Sequence, residues 1–137
     1  MRKKILYISP HLSTGGLPQY LVKKIEYFRH SADVYCVEYS FYGSDYVVQR
    51  NRIIEMLGDR FFPLYDNKEK ILEIISQISP DVIHFEEFCE SFVDENILLK
   101  IFDQNRGYLI FETCHSSVTE TNSKIFIYLQ VKQRIVT

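Results

Sequence analysis

Short apolar runs alternate along this chain with longer segments whose apolar residues recur every three or four positions. Ile5-Leu6-Tyr7-Ile8 is the first run. Leu17, Leu21, Ile25 and Phe28 then share one helical face, and Pro18 suits the first turn of that helix. Val34-Tyr35-Cys36-Val37 predicts a second strand, and Tyr46 to Leu57 a helix that ends at Gly58. Phe61 to Leu64 predicts a short strand, which Pro63 pushes toward a sheet edge. Ile71, Ile74, Ile75 and Ile78 form an amphipathic helix closed by Pro80. Val82-Ile83-His84-Phe85 is the next strand; Ile97, Leu98, Ile101 and Phe102 mark a helix ending near Gly107; Tyr108-Leu109-Ile110-Phe111 is a further strand.

Strands that are apolar on both faces and separated by helices predict a parallel sheet covered on both sides. With right-handed crossovers, the expected architecture is α/β: a Rossmann-like, doubly wound, mostly parallel sheet with helices on both faces. One such domain is expected over residues 1–117. Residues 118–137 form an apolar tail whose run Ile125 to Leu129 has strand character, with no helix after it to cover what it exposes. That tail either pairs with the same sheet or belongs to something larger.

Composition narrows the class of partner. The chain has 137 residues, 46% of them hydrophobic, enough for one core and too few for two. A net charge of -2 offers no overall field to attract nucleic acid. Arg2-Lys3-Lys4 resembles the head of a secretory signal, but Pro10 and His11 interrupt the apolar run after a few residues. No stretch approaches the roughly 20 apolar residues of a transmembrane segment. Cys36, Cys89 and Cys114 are odd in number and lack CxxC spacing, which fits reduced thiols. The expected location is cytoplasmic, with a peripheral place at the membrane left open.

In an open parallel sheet, ligands gather beyond the carboxyl ends of the strands. Three polar clusters follow strands here: Ser9-Pro10-His11 through Gly16, His84-Phe85-Glu86-Glu87, and Glu112 through Ser117. The expected topology brings all three to one rim. Gly15-Gly16 stands between a strand and a helix start, where free backbone N–H groups and the helix dipole accept a phosphate; the same pair is also an ordinary loop device. His84 and Glu86 are two apart and share a strand face. With Glu87 and Cys89 nearby a metal site is conceivable, but no standard ligand spacing occurs, so none is assigned. Cys114 and His115 are adjacent on an extended run and point to opposite faces, which disfavours a Cys–His nucleophile. Tyr39, Phe41, Tyr42 and Tyr46 cluster after the second strand, as an acceptor loop or as a packed one. The charges around Lys23, Lys24 and Glu26 read as a solvated helix face.

The segments ILYISPHLSTGGLPQYLVKKIEYF, SPDVIHFEEF and YLIFETCHSS resemble, in order and spacing, the amino-terminal half of GT-B-fold retaining glycosyltransferases, family 4-like, over residues 3–117. The resemblance implies transfer of a sugar from a nucleotide-sugar donor to a carbohydrate or glycan-like acceptor. The first half of such enzymes mostly holds the acceptor. By position, Gly15 and Gly16 would lie beside the donor diphosphate and His115 beside the transferring sugar. On their own chemistry, His84 either packs at the sheet's end or contacts the acceptor, and Glu86 or Glu87 would hydrogen-bond acceptor or sugar hydroxyls. No cofactor is implied, the nucleotide sugar being a substrate. Such enzymes also need a second Rossmann-like domain that grips the donor and neutralises the leaving diphosphate. The resemblance therefore implies a chain inactive without a separate donor-binding domain or chain. A non-catalytic subunit and a standalone nucleotide-binding module are the alternatives.

Overall fold

The computed structural model describes residues 2–13, 16–40, 48–86 and 95–113. In chain order the elements are β1 (Lys4–Ser9), α1 (Gly16–Phe28), β2 (Asp33–Glu38), α2 (Val48–Leu57), β3 (Phe61–Pro63), α3 (Lys70–Ile78), β4 (Val82–Glu86), α4 (Glu95–Ile101) and β5 (Leu109–Thr113), with a 3-10 turn at Gly58–Arg60. The strands form one sheet in the order β3-β2-β1-β4-β5, and every pairing is parallel. This is the α/β, Rossmann-like arrangement that the alternation of patterns predicts. Strand order reverses at β1: the chain first builds outward through β2 and β3, then crosses to β4 on the other side. The carboxyl ends of β1 and β4 therefore flank a topological switch point, where a crevice for a ligand opens in folds of this kind.

Each side of the sheet has its own core, because alternate strand residues point to opposite faces. Leu6, Ile8, Val37, Ile83, Phe85 and Ile110 pack with Ile71, Ile74 and Ile78 of α3 and with Leu98 and Ile101 of α4. Tyr7, Val34, Cys36 and Phe61 pack with Leu21, Val22 and Ile25 of α1 and with Ile53 and Leu57 of α2. Beyond α1 that second face is barer. Leu109 and Phe111 of β5 are 55% and 51% exposed, and no described helix lies on them.

Element ends depart from expectation where local hydrogen bonding takes over. α3 stops at Ser79, a left-handed residue at φ 51 whose N–H returns to the Ile75 carbonyl, and Pro80 bars continuation. α4 ends at Ile101, well short of Gly107. There the Asp103 carboxylate accepts from the Asn105 N–H at 2.8 Å, a local bond that competes with further helix. Phe28, expected on the buried face of α1, is 37% exposed. It is the last helical residue, where the chain turns toward β2 and the Ser31 and Ala32 N–H groups return to its carbonyl. Tyr46 and the run Ile125 to Leu129 lie outside the described residues. No helix among the described residues is long and apolar enough to cross a membrane.

Candidate functional site

The parallel register fixes what meets at the carboxyl edge. Ser9 aligns with Glu38, and Glu86 aligns with Thr113. These four residues end β1, β2, β4 and β5 around the switch point. The described parts of the three polar clusters thus share one rim, as expected from the sequence. Gly16 begins α1 on the same rim, is exposed, and has no heavy atom within 4 Å of where a Cβ would stand. Gly15, Glu87, Cys89, Cys114 and His115 lie outside the described residues, as do Phe41 and Tyr42. Tyr39 is buried at 1% exposure, a core residue and not part of an open loop.

His84 and Glu86 do share a face, the one toward α1, and a lysine meets them there. Lys24 Nζ lies 2.5 Å from Glu86 Oε1, donates to Thr113 Oγ1 at 3.0 Å and sits 3.2 Å from His84 Nε2. Thr113 Oγ1 is 2.7 Å from the same ring nitrogen. For Nε2 to accept from Lys24, the proton of the neutral His84 ring must sit on Nδ1. The ammonium also lies 4.6 Å from the Tyr20 ring centroid and 5.8 Å from that of Tyr7. His84 leans on Tyr7 at a centroid distance of 5.4 Å. The Glu86 side chain has no exposure, and Lys24 keeps 13%. A carboxylate so placed is tolerated because a cation stands against it. Burial raises the Tyr7 phenol far above its ordinary value, and the Glu86 charge adds to the effect.

Lys24 corrects the expectation of a solvated helix face. It falls seven residues after Leu17 and three after Leu21, so helical geometry puts it on the buried stripe. A lysine on an apolar stripe, with a glutamate inside a later strand run, was the available signal. The neighbouring Lys23 and Glu26 are exposed, and of the three charges they alone form the solvated face.

A second buried carboxylate, on β2, is not marked by any sequence motif. Glu38, 2% exposed, receives Arg50 Nε at 2.7 Å and Nη2 at 3.0 Å, and the Leu12 N–H donates to its Oε2 at 2.6 Å. The Arg50 N–H in turn donates to the Leu12 carbonyl at 3.1 Å. The ring of contacts fastens the loop after β1, which leads into Gly16, to β2 and α2. No spacing rule reveals it, since the partners come from three segments. In dinucleotide-binding Rossmann folds an acidic residue in this part of the sheet takes the ribose hydroxyls. Here both carboxylate oxygens are already engaged.

The site therefore combines a helix start with open space at Gly16 and a buried Lys–Glu–His–Thr cluster at the switch point. Such a set can hydrogen-bond hydroxyl groups and favours negative charge at the helix end. Compared with known protein families and with curated protein sequences, the chain matches none.

Proposed function

We propose that this protein is the acceptor-side half of a glycosyltransferase that uses a nucleotide-sugar donor. The observation that carries the reading is the switch point itself. The three segments that resemble such enzymes fall on β1–α1, β4 and β5, and the carboxyl ends of those strands meet at one rim. Gly15 and Gly16 would approach the donor diphosphate, and His115 would hydrogen-bond the transferring sugar. His84 and Glu86 would serve the acceptor, Glu86 acting through Lys24, whose ammonium it orients. The donor half would come from a second Rossmann-like domain or chain, which would supply the cations for the leaving diphosphate. The engaged state of Glu38 weighs against the alternative of a standalone dinucleotide-binding module.

The test pairs binding with transfer. In saturation-transfer NMR the full chain should bind glycan acceptors but neither free nucleotides nor flavins. Transfer should appear only when a donor-binding Rossmann-like chain is added, and His115→Ala should abolish it. Tight calorimetric binding of a nucleotide or flavin to the chain alone, with no glycan binding, would overturn the reading.

A further inference from the structure

The side of the sheet that carries α1 presents two cross-strand rows: Ile5, Val82 and Leu109, then Tyr7, His84 and Phe111. α1 packs over the β1 end of these rows, and their β5 end stays open, with Leu109 and Phe111 exposed. Lys24 reaches Thr113 of β5, so its flank of α1 is the one that borders the open strip. Tyr20 and Tyr27 fall four residues before and three after Lys24 and line that same flank, also exposed. The Tyr27 ring meets Phe28 edge to face at 5.0 Å. The result is an apolar trough with Leu109 and Phe111 on its floor and α1 aromatics on its wall.

We propose that the trough is covered by the chain's own segment 118–137, seated on the sheet face through the run Ile125 to Leu129. The segment lies outside the described residues; its composition, tether and charge select it. Parallel sheets are covered on both faces, so a bare apolar strip beside α1 calls for an occupant. Ile125-Phe126-Ile127-Tyr128-Leu129 is an apolar run that itself needs cover. The chain enters the segment from β5, the strand that floors the trough. Between Thr113 and Ile125 it can reach about 40 Å when extended, against roughly 17 Å for β5, so the run can lie anywhere along that strand. Tethering favours it over a separate molecule, because an attached segment acts at an effective concentration on the order of mM. Charge agrees: Lys124, Lys132 and Arg134 outweigh Glu120 in the segment, whereas the chain as a whole has a net charge of -2. Nothing in this placement depends on the function proposed above.

Methyl and aromatic NMR on the full chain tests the placement. Nuclear Overhauser contacts should join the Leu109 methyls or the Phe111 ring to methyls of Ile125, Ile127 or Leu129. They should persist on dilution and be absent between molecules in a mixture of labelled and unlabelled chains. Phe111→Ala should lower the thermal midpoint by about 4 °C or more, since a covered ring is then lost from a packed site. In an Ile125→Asp, Leu129→Asp background the same substitution should shift the midpoint by about 1 °C or less, because the face is already open. Should that background fail to fold, the contacts in the unaltered chain decide the matter. Contacts found only between molecules would assign the face to a second copy and overturn the proposal. So would contacts of the segment with the outer edge of β5 instead of its face, no contact with residues 118–137, or a Phe111→Ala midpoint that does not move.

Discussion

Glu38 and Glu86 end the two strands that flank β1, and both are almost without solvent contact, yet they are held in different ways. Glu38 meets a guanidinium fork and a backbone N–H, which fix both of its oxygens in one geometry. Glu86 meets an ammonium that also serves Thr113 and lies beside His84 and two tyrosine rings. A planar fork admits few arrangements, whereas a point charge on a flexible stem can shift among acceptors. The first pair behaves as a fastener for the loop that carries Gly16. The second is a polar centre at the switch point that can exchange partners when a ligand arrives.

The strongest way to break that contrast is to remove each cation in turn. Arg50→Met leaves the Glu38 charge buried, with the Leu12 N–H as its remaining partner among the described contacts. It should cost about 3–5 kcal/mol in urea unfolding, and Glu38→Gln added to it should recover a large part. Equal losses in the single and double variants would show that Glu38 does not depend on Arg50. Lys24→Met should cost less, about 2–3 kcal/mol, because it removes one bond to one Glu86 oxygen, whereas Arg50→Met removes a fork that holds both Glu38 oxygens. That substitution should also shift the His84 ring resonances in NMR, whereas Arg50→Met should leave them in place.

Cys36 sharpens the comparison, since its thiol is buried on the same side of the sheet and feels both carboxylates. Burial is the main cause that pushes its ionisation far up, followed by the charges of Glu38 and then Glu86. In the unfolded chain a thiol ionises near about pH 8.5. Above that value the unfolded chain binds fewer protons than the native one, so stability falls as pH rises, by up to about 1.4 kcal/mol per pH unit. Below it the two states hold the same proton and the effect vanishes. Cys36→Ala should flatten the decline of the urea midpoint above about pH 8.5 and leave the neutral slope unchanged. The smallest effect is expected at Gly58, remote from both pairs, where φ is 58 and a Cβ would meet nothing within 4 Å. Gly58→Ala should cost only the left-handed backbone term, about 1 kcal/mol, in the same unfolding assay.

Most of the fold was legible because each element declares itself locally. Leu17, Leu21 and Ile25, or Ile71, Ile74 and Ile78, repeat with the helical period, and the strands are short apolar runs between breakers. Pro63 correctly marked an edge strand. The site was legible in part. The sharing of a face by His84 and Glu86 followed from strand geometry, and the common rim followed from parallel topology. The length of α4 was misjudged because a side-chain bond at Asp103 competes with helix within three residues. The two cations were missed for a different reason. Lys24 lies 62 residues from Glu86 and Arg50 lies 12 from Glu38, so neither pair has a spacing that a linear pattern can display.

The sequence by itself determined the alternation of elements, the two-sided burial of the strands and the place of the glycine pair between strand and helix. These follow from period, turn residues and steric limits, all of which act over a few residues. Only the tertiary structure decided which charges are buried and what neutralises them. Desolvation and Coulomb attraction depend on distance in space, and the folded sheet brings strand ends and helix faces together without regard to their separation along the chain.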